Sequence, residues 1–372
     1  PAGALFAMGQ SGCPICGPRW GTWGNADCSF DRPGTVRCSN GHILPDAEHP
    51  DDGSGWVGPD GRTFWFVGSY YTWVVETYQS WCHDLAFAYT ITGDDCYART
   101  CAALLDALAE IYPTCLVGAA EYPPSSGRLT RPSYQTARVL VTLVHDYDRI
   151  FHSPSLDEPS FVDGLSRRAN IEKNMLENGA WYCYTKSFEH PSLNNGNADF
   201  VRGALAVGCV LGIEHYIDWG ADGPFGVRAL VDNNVDRDGR YMETALGYSN
   251  HSRELYLTFT EPLMNVQSER YPDGLNLYDD PHFRSFYLLP TLAMDCAGHM
   301  PRFGDAGTDT SRIVGAPPLN DARDLHFAQY IANRTTDAQA REQFGAVVRF
   351  LGGEDGGVEE VTEADREWLL FH

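Results

Sequence analysis

"DDCYARTCAALLDALAEIYP", residues 94–113, places Cys101, Leu104, Leu105, Leu108 and Ile111 on one face of a helix, because apolar residues returning every three or four positions line up along 3.6-residue turns. The stretch before it, "YYTWVVETYQSWCHDLAFAYTITG" (70–93), reads as a second helix, and Gly93-Asp94 reads as the turn joining the pair, with Asp94 as a helix cap. Outward from this hairpin the pattern repeats. "PSYQTARVLVTLVHDYDRIF" (132–151) carries a stripe of Val139, Leu140, Leu143, Val144, Tyr147, Ile150 and Phe151, and helical periods continue through "NADFVRGALAVGCVLGIEHYIDW" (197–219) and "SNHSRELYLTFTEPLMNV" (249–266) to segments around 319–333 and 337–351. Strand alternation is nearly absent. About ten helices in antiparallel succession, some amphipathic and some apolar on nearly all sides, predict a mainly α fold in two nested layers, an (α/α) toroid whose loops line a cleft. Residues 1–66, rich in Gly, Pro, Asp and Asn, predict a loop-rich, Cys-containing N-terminal segment ahead of a toroid spanning 67–372.

Of the 372 residues, 43% are hydrophobic and 21% charged, a globular composition that leaves no room for wholesale disorder. The longest uncharged apolar run, "GALAVGCVLGI" (203–213), is half the roughly 20 residues a bilayer span requires and predicts a buried helix. The net charge of -23 argues against nucleic acid as a partner, since a phosphate backbone would be repelled. An anionic substrate would need a local basic cluster, and "SGRLTRPSYQTAR" (126–138) offers Arg128, Arg131 and Arg138 without an acidic residue among them. The same arginines also suit a solvated helix entrance. Opening on Pro1 without a signal-peptide pattern, the chain reads as a processed or shortened product.

Eleven cysteines fall into two groups. Cys82, Cys101 and Cys209 lie within apolar helical patterns and read as small core residues. "CPICG" supplies Cys13 and Cys16 at a spacing that turns two thiolates toward one metal, and "CSNGHILP" adds Cys38 and His42, with Cys28 between. Three outcomes fit: a structural zinc held by Cys13, Cys16, Cys38 and either His42 or Cys28, disulfides in an oxidising compartment, or free thiols.

Five stretches in order, "CPICG", "AYTITGDDCYA" followed by "LLDALAEIYP", "NNGNADFVRGALAVGCVLG", "DGRYMETALGYSNHS" and "PRFGDAG", span nearly the whole chain. In these the sequence resembles the heparinase II/III-like and alginate-lyase-like polysaccharide lyases. The resemblance implies an enzyme of the toroid class that cleaves a uronic-acid polysaccharide by β-elimination, without an organic cofactor, in a secreted or periplasmic setting. It also implies a C-terminal β-sheet domain, which the chain, stopping at "REWLLFH", is expected to lack.

The chemistry accounts for the residue types. The C5 proton of a uronate is a poor acid beside a carboxylate that is already negative, so hydrogen-bond donors must first stabilise the developing charge. A base then takes the proton, and an acid protonates the departing glycosidic oxygen. By the resemblance, Tyr248, ten positions after Asp238, matches the catalytic tyrosine, and Asn195 the carboxylate-binding asparagine, with Asn197 selected instead if the register shifts by two. Glu243, in the same stretch, and Arg131 are expected to help bind substrate. Relatives often carry Asn-His and Tyr-His where this chain has Asn195-Gly196 and Tyr248-Ser249, so His251 or His190 is left as the auxiliary proton carrier. A tyrosine at a helix entrance can equally be a packing residue with a wet hydroxyl. Two other functions fit the fold: a glycoside hydrolase drawing a carboxylate pair from Asp94, Glu121, Glu243 and Asp305, and a glycan-binding protein without turnover.

Overall fold

Gly93 and Asp94 do end one helix and begin the next. Helix α1 (Phe66–Thr92) closes on Gly93 in the left-handed conformation, its N–H on the Tyr89 carbonyl, and the Asp94 carboxylate accepts the Cys96 N–H at the start of α2 (Asp95–Ile111). The computed structural model describes residues 12–17, 27–114, 128–129, 134–189, 191–243, 246–292 and 322–352. The described chain is mainly helical. Its strands form two short antiparallel pairs: β1 (Val36–Arg37) with β2 (Ile43–Leu44), and β3 (Trp56–Val57) with β4 (Thr63–Phe64).

Contacts divide the chain into two compact units, one running to Lys186 and the other beginning at Ser187. In the N-terminal segment Cys13, Val36, Cys38, Leu44 and Phe64 share one buried core with Phe66 and Tyr70 of α1. Asp51 adds a polar tie. Its carboxylate accepts the Phe66 and Val67 N–H groups at 2.8 and 3.0 Å, capping α1 in place of Trp65, whose side chain makes no cap.

In the first unit α1 packs on α2 and on α3 (Gln135–Arg149). The buried face of α2 centres on Ala98, Cys101, Ala102, Leu105 and Leu108, so the apolar stripe is rotated slightly from Leu104 and Ile111, both half-buried. A helical run of α4 (Arg167–Asn170), a π-helical stretch (Ile171–Glu177) and α5 (Asn178–Glu189) follows. The buried Asp106 carboxylate of α2 is satisfied by the Ser160 hydroxyl, the Phe161 N–H and the Asn170 amide, as a charge out of water requires.

The second unit is built on α6 (Asn195–Leu211), α7 (Glu214–Asp222), α8 (Val227–Asn234), α9 (Leu246–Asn265), α10 (Pro281–Leu292), α11 (Ala322–Arg334) and α12 (Ala338–Gly352). The run 203–213 is the buried helix its composition predicts. From Asn197 to Val210 nearly every residue of α6 is buried, and α6 packs on both α7 and α9.

The Asp-Gly turn of the second unit is wedged in place. Gly239 has φ +89°, and a Cβ there would lie 2.2 Å from the Ser285 carbonyl oxygen of α10. Gly239→Ala therefore meets both backbone strain and a clash with main chain, and is expected to cost about 3 kcal/mol in urea unfolding. A loss well under about 1 kcal/mol would show that the turn is free to shift.

Candidate metal centre and candidate active site

Two glycine-ended turns face each other in the N-terminal segment. Cys13 and Cys16 sit on a turn closed by the Gly17 N–H on the Cys13 carbonyl, with Gly17 at φ +79°. Cys38 and His42 sit on the β1–β2 turn, closed by Gly41 N–H on the Cys38 carbonyl and by Cys38 N–H on the His42 carbonyl. The Nδ1 of His42 is 3.6 Å from Cys13 Sγ and 3.4 Å from Cys38 Sγ, and Cys16 and Cys38 Sγ are 3.7 Å apart. All four ligand atoms lie within 4.8 Å of one another. Tetrahedral bonds of about 2.3 Å to sulfur put neighbouring ligand sulfurs about 3.7 Å apart, so this set can hold a metal ion.

The fourth member is His42, not Cys28. Cys28 packs against the apolar core that includes Phe64, Phe66 and Tyr70, and burial pushes its thiol up to about 12, with Asp27 adding to the effect. At Cys38 burial works in the same direction but is outweighed by the His42 and Asn40 backbone N–H groups and the Cys16 and His42 side chains, which bring it down to about 6. Burial raises Cys13 to about 11. No disulfide joins the described cysteines.

In the second unit three asparagines at the entrance of α6 divide their duties. Asn194 is the cap, accepting the Asn197 N–H at 2.9 Å. Asn197 is buried and donates its amide to the Ser192 carbonyl at 2.7 Å. Asn195, the first residue of the helix, is half-buried and makes no side-chain hydrogen bond among the described residues. Asn197 thus holds the loop through the Ser192 carbonyl.

Asn234, the last residue of α8, donates to the Leu193 carbonyl and, at 3.0 Å, to the Tyr256 hydroxyl of α9. One amide therefore ties the approach to Asn195 to the helix that carries Tyr248. Tyr256 lies eight residues beyond Tyr248, about 12 Å along a helix. After Asn234 the chain turns through Asp236–Arg240, closed by Asp236 N–H on the Arg240 carbonyl and by the Asp236 carboxylate on the Asp238 and Arg240 N–H groups. Helix α9 then begins at Leu246, with Tyr248 in its first turn.

Tyr241 and Tyr256 are fully buried and stand edge to face, and Tyr241 stacks on Phe286. Burial raises both phenols. The Tyr241 hydroxyl faces Ser252 and Tyr256 but completes no well-formed hydrogen bond. These two tyrosines are core residues. Burial also raises the Glu243 carboxyl, whose Oε2 is enclosed without a hydrogen-bond partner among the described residues.

The chain matches no protein-family model and no curated protein. The site is therefore read from its own residues. His251 is half-buried on α9, three residues and so one turn beyond Tyr248. Arg253 was not foreseen. Its guanidinium is 1% exposed, pairs with Asp324 of α11 at 2.8 Å, donates to Asn250 Oδ1 and lies over the Phe327 ring. Its signal in the sequence was a lone cation one turn before Tyr256 and Leu257 on a buried face. Arg131, His190 and the stretch "PRFGDAG" lie outside the described residues, as do Glu121 and Asp305. In the first unit Arg128 donates to Asn178 Oδ1 at 3.1 Å and lies over the Tyr182 ring.

Proposed function

We propose that the chain is a polysaccharide lyase that cleaves a uronic-acid-containing polysaccharide by β-elimination within an (α/α) toroid of nested helical hairpins. The observation that carries this reading is the order of parts around α9. A wedged Asp-Gly turn leads into the helix with Tyr248 in its first turn, and Asn234 ties that helix to the approach to Asn195.

In this reading the Tyr248 oxygen removes the C5 proton. The C5–H electron pair becomes the C4–C5 double bond, the C4–O bond breaks, and the departing oxygen takes a proton from Tyr248 or from His251 as auxiliary carrier. The Asn195 amide donates to the uronate carboxylate. Glu243, in the same stretch as Tyr248 with its carboxyl raised by burial, contributes to binding the substrate. The Cys13, Cys16, Cys38 and His42 set holds a structural zinc, supported by three thiol sulfurs and one imidazole nitrogen at tetrahedral spacing. Such a closed set leaves no position open for substrate.

One observation favours a second reading. A carboxyl raised by burial suits the general acid of a glycoside hydrolase, which would make Glu243 catalytic. Of the other carboxylates weighed for its partner, Asp94 is occupied as the α2 cap. Digestion of a panel of uronate polysaccharides separates the two: a lyase leaves ultraviolet-absorbing unsaturated ends, and a hydrolase leaves none.

The asparagines give a sharper test. Asn195→Ala is expected to lower turnover about 10²-fold with stability unchanged, because its donor matters most as charge develops. Asn197→Ala is expected to lose about 1–3 kcal/mol of stability by leaving the Ser192 carbonyl unpaired, with turnover of the folded protein retained. Wild-type turnover in Asn195→Ala would remove that residue from the site.

A further inference from the structure

A cavity of about 770 Å³ opens in the second unit beside the Asp-Gly turn, within the range of small-ligand sites. Its wall is formed by the end of α8, the turn itself and the start of α10. Six side chains set its chemistry: Asp232, Asp236, Arg237, Arg240, Met242 and His282. Two carboxylates face two guanidinium groups. Each arginine already has an acidic neighbour: Arg240 Nε is 3.8 Å from Asp236, and Arg237 Nε is 3.1 Å from Asp238. Asp232 is 72% exposed and faces His282 Nδ1 at 3.8 Å. The other ring nitrogen of His282 is held by the Val235 carbonyl at 2.8 Å, which fixes the ring against the wall.

This lining selects against a charged ligand. A uronate carboxylate entering here would find each cation already beside an acid and would sit beside Asp232 and Asp236, a like-charge juxtaposition that disfavours binding. An uncharged sugar meets no such penalty. Its hydroxyls donate to Asp232 and accept from Arg240, and its C–H face can rest on Met242, which is 50% exposed. Met242 precedes Tyr248 by six residues, a reach of at most about 20 Å, so one polymer can occupy both places.

We infer that the cavity is a subsite for a neutral pyranose residue, and that the polymer cleaved at Tyr248 alternates uronate with an uncharged sugar. The inference rests on the lyase reading for its second half, and the test keeps the halves apart. Purified protein is given a homopolymer of uronate and a polymer alternating uronate with neutral hexose, and unsaturated ends are followed by absorbance. The alternating polymer is expected to be cleaved with at least about tenfold higher kcat/KM. The double variant Asp232→Asn, Arg240→Ala should raise its KM about tenfold while kcat holds. Equal cleavage of the two polymers, or an unchanged KM in the variant, overturns the inference. In parallel, an alternating uronate–hexose tetrasaccharide is titrated calorimetrically into wild type and variant. Should neither polymer yield unsaturated ends, the lyase reading falls and the titration decides: binding weakened about tenfold by the variant keeps the cavity as a sugar site, and binding absent or unchanged removes it.

Discussion

Tyr248→Phe is expected to fold as the wild type does, to bind polysaccharide, and to release unsaturated ends at least about 10²-fold more slowly, the loss that follows removal of a positioned acid-base group. Phenylalanine is the informative replacement because it removes the ionisable oxygen and keeps the ring. The structure supplies two controls. Tyr241 and Tyr256 are buried, and burial raises both phenols, which suits neither to take a proton near neutrality. Tyr241→Phe deletes a hydroxyl that lacks a well-formed partner, so turnover should stay within about twofold and stability should hold or rise slightly. Tyr256→Phe strips one acceptor from the Asn234 amide and should cost about 1 kcal/mol of stability. Unsaturated product released by Tyr248→Phe at near wild-type rate, with the fold verified by circular dichroism, would return this tyrosine to a packing role.

The second large effect is expected at the Cys/His cluster. Purified protein should carry one zinc per chain, and chelation or Cys38→Ser should lower stability by about 3 kcal/mol or more, near 10 °C in Tm. The loss should reach beyond the lead-in, since Cys13 and Cys38 belong to the core that also buries Phe66 and Tyr70 of α1. Metal retention should strengthen as pH rises. Binding must displace the proton of Cys13, which burial holds up to about 11, and every proton displaced competes with the metal in acid. Zinc-free protein with Cys13 or Cys38 in a disulfide, found by mass spectrometry without reductant, would overturn this assignment.

These expectations depend unequally on sequence and structure. The metal set was nearly complete in the sequence, because turns of three to five residues with a following glycine bring paired ligands together by local geometry alone. What remained open was the choice between His42 and Cys28, and tertiary placement decided it: the His42 ring nitrogen, and not Cys28, lies within 4.8 Å of the other three ligand atoms. Cys28 packs against the apolar core, whereas the β1–β2 turn brings His42 to the thiols. Glu243 was visible as a carboxylate in the right stretch, but its raised pKa depends on neighbours that enclose it. Arg253 carried no local mark of its partner, since Asp324 arrives from α11.

Local rules reach about one turn of chain, and there the sequence was sufficient. It determined the hairpin at Gly93-Asp94, the buried course of α6 and the turn at Asp238-Gly239, since caps, positive φ and 3.6-residue periodicity depend on residues within a few positions of one another. Tertiary structure decided the rest. Asp51 caps α1 from fifteen residues away. Asn197 takes the Ser192 carbonyl while Asn195 keeps its amide, and Gly239 is locked by a carbonyl of α10. The lead-in shares a core with Phe66 and Tyr70 of α1. For Asp51 and Asn197 desolvation makes the outcome unique, since a polar group shielded from water must take whichever partner the fold delivers; at Gly239 and in the shared core the deciding force is close packing between distant segments.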